Sequence, residues 1–486
     1  MKYKLLIAII TFGLLAPAMP AAERKPNFLF IYTDDQRWDA LGVVQREQGE
    51  AARFPWFKTP NMDRIAAEGV RFRNAFVTLS LCSPSRTTFL TGRYNHHNGV
   101  INNYTPFPPD SVTHASLMRA AGYKTAYIGK WHHSNQSGQR PGFDYSASFV
   151  GQGRYIDCPV EINGKSTPTK GWIDDVSTDF AIGFIKQHRN EPFSMVVGLK
   201  SPHGPRGGEN LPARLQNLFD GEKSRPVPNL ATPALYRTGA GETARDQKPQ
   251  PNLTEPVVVP GHLDYMRHIA GADEEVGKLL KALDELGLTD NTVIVFSSDN
   301  GFYLGEHGLG DKRSMYEESL RIPMLVRYPK LFPKGKTCDD LVLNIDLAPT
   351  FLDLAGVLIP DAMQGRSWVP LLTGKTTDWR QSFLAEYFFE KGFEGTPTLV
   401  GIRTTTGKLV KYPGHPEWTE LFDLPSDRYE TKNLIGSTSA NELRQQLMKE
   451  FDQQVKATGY HEPAGADRPG AADDSKAKSK KKKKSP

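Results

Sequence analysis

Short apolar runs punctuate the first three hundred residues, and each ends in polar side chains able to do chemistry. Asn27-Phe28-Leu29-Phe30-Ile31-Tyr32 is almost continuously apolar, the pattern of a strand buried on both faces. Thr125–Gly129, Phe193–Leu199 and Thr292–Ser298 repeat that pattern. The residues that follow the four runs are Asp34-Asp35, Lys130-Trp131-His132, Ser201-Pro202-His203 and Asp299-Asn300. A different period lies between them. Leu263–Leu286 carries Met266, Ile269, Val276, Leu279 and Leu283 at helical spacing, with Gly287 as a stop. Asp346–Ala355 and Ser111–Ala121 read as shorter helices. Strands alternating with helices predict an α/β fold: a mostly parallel central sheet sandwiched by helices. In such sheets ligands bind beyond the carboxyl ends of the strands, where all four polar segments fall.

The stretch between Pro202 and Pro260 is rich in Pro, Asn and Gly and reads as a long surface loop, with a substrate wall as its further use. After about Gly374 the pattern becomes short and alternating, in Thr398–Arg403 and Lys408–Tyr412, before a helix near Ala440–Val455. This predicts a smaller C-terminal α+β subdomain on a short antiparallel sheet. A chain of 486 residues exceeds one ordinary core. The division expected is a leader at 1–22, a catalytic domain at 23–374, the α+β subdomain at 375–462 and a tail at 463–486.

The two ends change the reading of the charge. Lys2 and Lys4, the apolar Leu5–Pro17 and the small residues through Ala22 form a signal-peptide pattern, too short to span a membrane. A secreted or periplasmic protein without a stable membrane span is expected. Without those two lysines and the seven of the Lys-rich tail, which is expected to be disordered, the formal charge of +5 becomes −4. An acidic body argues against a nucleic-acid partner. The tail is either an adhesive for acidic surfaces or simply solvated.

Three cysteines occur, Cys82, Cys158 and Cys338, with no CxxC pair to suggest zinc or a redox centre. Cys158 and Cys338 could pair in an oxidising compartment. Asp34, Asp35, Asp299 and Asn300 offer only hard oxygen donors, a set suited to Ca²⁺ or Mg²⁺.

Cys82-Ser83-Pro84-Ser85-Arg86 followed by Leu90-Thr91-Gly92-Arg93 resembles the signature of type I sulfatases, of the alkaline-phosphatase-like superfamily. Gly129-Lys130-Trp131-His132, Pro202-His203 and Gly310-Asp311-Lys312 resemble further motifs of that family in its order. The family's usual Leu-Gly after Gly-Lys-Trp-His is replaced here by His133-Ser134. Gly151-Gln152-Gly153-Arg154-Tyr155 with Asn163-Gly164-Lys165 is similar to the N-acetylglucosamine-6-sulfatase-like branch.

The resemblance implies a sulfuric ester hydrolase acting on a sulfated carbohydrate. It implies that a formylglycine-generating or anaerobic sulfatase-maturating enzyme converts Cys82 to Cα-formylglycine. Asp34, Asp35, Asp299, Asn300 and modified Cys82 would hold one divalent cation, Ca²⁺ before Mg²⁺. One hydroxyl of the hydrated aldehyde would attack sulfur, and collapse through the other would expel sulfate. Lys130 and Lys312 would hold sulfate oxygens and Arg86 the diol. His203 would protonate the leaving alcohol and His132 would assist the collapse. Either Asp34 or Asp299 would take the nucleophile's proton. His96, His97 and Arg206 are expected to contact substrate, with a polar loop as the alternative for the histidines. Two rivals stay open: a phosphoester or phosphonate monoester hydrolase on the same fold, and a non-catalytic sulfated-glycan binding protein with an unmodified Cys82.

Overall fold

The computed structural model describes residues 24–239, 255–464 and 466. The leader, most of the Lys-rich tail and residues 240–254 of the long loop lie outside the described residues. Ten strands form the main sheet, in the order Lys336–Cys338, Val70–Phe72, Met324–Arg327, Thr292–Ser298, Asn27–Thr33, Phe193–Gly198, Lys124–Lys130, Tyr145–Phe149, Val160–Ile162 and Lys165–Thr167. The five from Thr292–Ser298 to Tyr145–Phe149 run parallel, and antiparallel pairings flank them.

The apolar run of the central strand explains its place. Phe28, Phe30 and Tyr32 enter one hydrophobic cluster, and Leu29 and Ile31 enter the other, on the opposite face. With both faces covered, an alternating polar residue would be buried without a partner. One cover is the helix Pro260–Glu285, which starts three residues before its apolar pattern because Pro260 pre-sets the first helical turn. Helix His114–Ala120 starts later than Ser111 because Thr113 caps it: its hydroxyl accepts from Ser116 N at 3.0 Å, and Ser116 Oγ accepts from Thr113 N.

A second sheet, Ser382–Tyr387, Leu399–Thr404, Gly407–Lys411 and Glu420–Asp423, is antiparallel throughout and carries the helix Asn441–Thr458. The sequence expectation of an α/β body with a small α+β unit matches this architecture. The cores do not separate, however. Phe76 of the larger unit packs on Phe383 of the smaller at 5.1 Å, within one cluster that spans both.

Cys158 and Cys338, whose pairing the sequence leaves open, do not meet. Cys338 ends one edge strand, Cys158 precedes a strand near the other edge, and seven strands lie between. At about 4.8 Å per strand this exceeds the ~7 Å Cα reach of a disulfide. Both thiols are free.

Candidate active site

Four neighbouring strands deliver the expected residues to one place. Asp34 and Asp35 follow Asn27–Thr33, and Asp299 and Asn300 follow its parallel neighbour Thr292–Ser298. On the other side, His203 lies beyond Phe193–Gly198, and Lys130 closes the next strand. In Gly129 the backbone has φ +87°, and a Cβ would meet Gly198 O at 2.1 Å, so only glycine fits before Lys130. Asp35 (φ 72°) and His132 (φ 48°) are left-handed as well, local strain of the kind that collects at functional sites.

Cys82 is the first residue of a wholly buried helix, Cys82–Thr91. Its Sγ stands 3.4 Å from Asp34 Oδ1. Burial, then the Asp34 charge, pushes the thiol pKa far up, so an unmodified Cys82 is a poor thiolate nucleophile. One helical turn on, Arg86 donates from Nε and Nη2 to Asp299 Oδ2 (2.9 and 2.7 Å) and from Nη1 to Lys130 O (2.6 Å). It does not line the pocket. Arg86 therefore positions the acidic cluster from behind.

Lysines face the two adjacent carboxylates. Lys130 Nζ donates to Asp34 and, at 2.6 Å, to Gln152 Oε1. Lys312 Nζ donates to Asp35 Oδ1 at 2.7 Å. Burial opposes the Asp34 charge, but Lys130, then His203, Arg86 and Lys312, hold its carboxyl well below the usual range. Asp299 goes the other way: burial and the Asp34 charge push it up to about 7. Burial and Lys130 push His132 and His203 well below the ordinary imidazole range. His203 Nδ1 donates to Gly204 O at 2.8 Å, which turns Nε2 toward Asp35 at 3.9 Å.

The oxygen set fits a cation. Carboxylate oxygens of Asp34, Asp35 and Asp299 lie within 4.8 Å of one another, all buried. Asn300 Nδ2 donates to Asp35 Oδ1 at 2.7 Å, while Asn300 Oδ1 is buried with no hydrogen-bond partner. Three crowded acids and an orphaned carbonyl oxygen are donors that a hard divalent ion would satisfy.

A pocket of about 510 Å³ opens over this cluster. Asp35, His132, His203, Arg206 and Lys312 line it, with Tyr104, Phe302 and Phe393 as aromatic faces. The Arg206 guanidinium is clamped between Tyr265 (4.9 Å) and Phe302 (4.4 Å). His96 and His97 are elsewhere, which corrects the expected substrate contact. His96 Nδ1 pairs with Glu386 Oε2 at 2.6 Å, and both rings reach Thr458 O at the end of the C-terminal helix. A helix C-terminus and a carboxylate suit a protonated imidazole, and although burial opposes it, Glu386 raises the His96 pKa. His133, the departure from the family pattern, is buried against Thr87 Oγ1 at 2.9 Å.

Several residues escape the sequence reading. Lys200 donates to Gln152 O at 2.9 Å, and burial, then Lys130, lowers it to about 8. Its position directly after the apolar run Phe193–Leu199 is the same signal that marks its neighbours. Glu390 and Phe393 reach the pocket from the C-terminal unit. No local pattern announces them.

The sulfatase family model matches residues 26–357, and the model of the N-sulphoglucosamine sulphohydrolase C-terminal region matches 305–457. The chain is 32% identical to N-acetylglucosamine-6-O-sulfatase of Bacteroides thetaiotaomicron, over 94% of this chain and 92% of that one. It is 30% identical to an ulvan-active sulfatase of Formosa agariphila, over 90% and 84%. A solved structure of a protein in complex with its substrate D-glucosamine-2-N,6-O-disulfate superposes with a TM-score of 0.79 at 30% identity, covering 91% of this chain and all of that one.

Proposed function

The chain belongs to the sulfatase family, and on that premise we propose that it hydrolyses sulfate esters of a glucosamine-type carbohydrate through formylglycine made from Cys82. The observation that carries the mechanism is the position of Cys82: buried at a helix start, 3.4 Å from Asp34 and inside the ring of Lys130, His203 and Lys312. The relatives active on N-acetylglucosamine 6-sulfate and on a glucosamine disulfate support the substrate class. So do the aromatic faces of Tyr104, Phe302 and Phe393, which suit sugar rings.

Formylglycine at position 82 would supply a hydrated aldehyde, with one hydroxyl as the nucleophile toward sulfur and a second that would allow sulfate to leave with return to the aldehyde. Asp34, Asp35, Asp299 and Asn300 would hold a divalent ion, Ca²⁺ before Mg²⁺, which would supply positive charge for sulfate oxygens. The chain's own side chains do the rest. Lys312 and Arg206 face the anionic group, and Lys130 anchors Asp34 and Gln152. Arg86 keeps Asp299 in place. His203 has its Nδ1 proton committed to Gly204 O, so Nε2 is the atom that passes a proton to the departing sugar oxygen. The incoming sulfate anion raises the pKa of His203 toward the range this needs. His132, whose Nδ1 has no hydrogen-bond partner, would be the base available to take a proton from the hydrated aldehyde.

The chain would divide into a catalytic unit at 23–374 and a C-terminal unit at 375–462, and the leader pattern would direct its export. Among the described residues no helix is long and apolar enough to cross a membrane.

Peptide mass spectrometry across Cys82, with a sulfate-release assay on 6-O-sulfated N-acetylglucosamine, tests the proposal. Conversion of the thiol to the aldehyde removes about 18 Da. An active protein with an unmodified thiol would overturn the mechanism. Faster turnover of p-nitrophenyl phosphate than of p-nitrophenyl sulfate would overturn the ester class.

A further inference from the structure

Behind Phe302 the molecule has a second cleft, of about 480 Å³, that shares no lining residue with the active-site pocket. The ring of Phe302 faces Arg206 in the pocket, while its carbonyl accepts from Arg37 Nη1 of the cleft at 3.1 Å. The C-terminal unit supplies Arg403, Leu424, Arg428 and Tyr429, and the main unit the rest.

The charge here is unbalanced. Seven lining residues are arginines and five are acids. The acids are already engaged: Asp39 and Glu306 by Arg37, Glu47 by Arg71 and Arg73, and Glu317 by Arg403. Glu318 accepts from Asn229 and is pushed up to about 8 by burial and then by Glu306, so it offers little negative charge near neutrality. Arg321 has no carboxylate within 4.0 Å among the described residues; its Nε donates to Arg73 O at 2.8 Å. Its guanidinium lies 3.8 Å over Trp38. Arg53 Nε and Arg73 Nε are buried without a hydrogen-bond partner. At the mouth, exposed Arg428 stands beside Tyr429. Surplus guanidinium charge and unused N–H donors call for an anion, and the faces of Trp38 and Tyr429 suit a sugar ring.

We propose that this cleft is a second, non-catalytic binding site for a sulfate- or carboxylate-bearing sugar of a glycan chain. The inference rests on the carbohydrate-sulfate reading above. Holding a distal sugar would raise the effective concentration of a chain near the active site without entering the chemistry.

Hydrogen exchange with mass readout on the full-length Cys82→Ala protein tests it, using a sulfated glucosamine-containing hexasaccharide. The expected result is protection of segments 37–53 and 421–430 together with 130–135. Arg428→Glu should shift the midpoint at 37–53 by about tenfold, the loss of one charge-assisted contact, and weaken that at 130–135 with it, since one chain reaches both sites. Arg321→Gln is the second variant, with the same expected shift. Protection confined to 130–135, or cleft midpoints unmoved in both variants, would overturn the second site and leave the proposed function standing. Cleft protection by inorganic sulfate but not by the hexasaccharide would also overturn it. Failure of the wild type to release sulfate from the 6-O-sulfated monosaccharide would instead count against the proposed function.

Discussion

Arg86 holds Asp299 through two N–H groups on a single carboxylate oxygen, Nε at 2.9 Å and Nη2 at 2.7 Å, with both side chains fully buried. The pair joins the helix that begins at Cys82 to the end of the strand Thr292–Ser298, 213 positions apart in sequence. It ties the position of the nucleophile to that of the oxygen cluster. Replacing Arg86 by Lys removes the fork and leaves Asp299 under-paired in a dry site. We expect a loss of about 3–5 kcal/mol in stability and a fall in kcat/KM of about a hundredfold or more, read by thermal melts and initial rates on the sulfated monosaccharide.

Cys82→Ser retains a hydroxyl but cannot form a geminal diol. Turnover should stop after the first half of the reaction, with loss of about a thousandfold or more in steady-state rate. Intact-mass analysis should show sulfate retained on the protein. The melting temperature should stay close to wild type, because the two side chains are nearly the same size.

Removal of divalent ions should act on stability as well as activity. Asp34, Asp35 and Asp299 are buried within 4.8 Å of one another, so the apo protein carries their mutual repulsion. Dialysis against EDTA should lower the melting temperature and abolish sulfate release. Ca²⁺ should restore both, and a ligand that binds only the folded chain raises stability with its concentration. An unchanged melting curve would sink the cation reading.

His96 should behave as a structural residue. Its pair with Glu386 and its bond to Thr458 O join the helix Asn95–Asn98 to the C-terminal unit. His96→Ala leaves the Glu386 carboxylate buried and short of a partner, at a cost of about 3 kcal/mol or more. KM for the sulfated monosaccharide should stay within about twofold of wild type, since His96 is absent from the pocket wall. A large change in KM with an unchanged melting temperature would return the residue to the substrate.

Acid sensitivity should depend on His114. Its ring is fully buried against Phe351, neither nitrogen has a hydrogen-bond partner, and burial lowers its pKa to about 4. An unfolded histidine titrates near 6.5, so below that pH the unfolded chain binds a proton that the folded chain refuses. The stability in question is fully present above about pH 6.5 and is lost progressively toward pH 4, about 3 kcal/mol in all. His114→Leu should therefore lose less melting temperature than wild type between pH 7.5 and pH 4.5.

Much of the site was legible because parallel α/β sheets place chemistry at strand ends. An apolar run encodes double-sided burial, and the residue that ends it is the first free to be polar. Asp34, Lys130, His203 and Asp299 follow that rule, and the order of the family motifs singles them out. Lys200 obeys the same rule, but as a lone lysine before Ser201-Pro202-His203 it belongs to no motif. Arg86 was legible as an identity within the cysteine motif. Its direction, backward into the cluster, was not.

Local sequence determined the strands, the helices, the order of units and the family motifs, because burial periodicity and turn chemistry act over a few residues. Tertiary structure decided which side chains meet. Lys312 finds Asp35 across 277 positions, and Glu390 and Phe393 enter a pocket built mainly by the first two-thirds of the chain. The same packing drew His96 and His97 away to Glu386 and Thr458, and kept Cys158 and Cys338 seven strands apart. Contacts of that range are settled by how whole elements pack and which buried charges can be paired, and no short stretch of sequence carries that information.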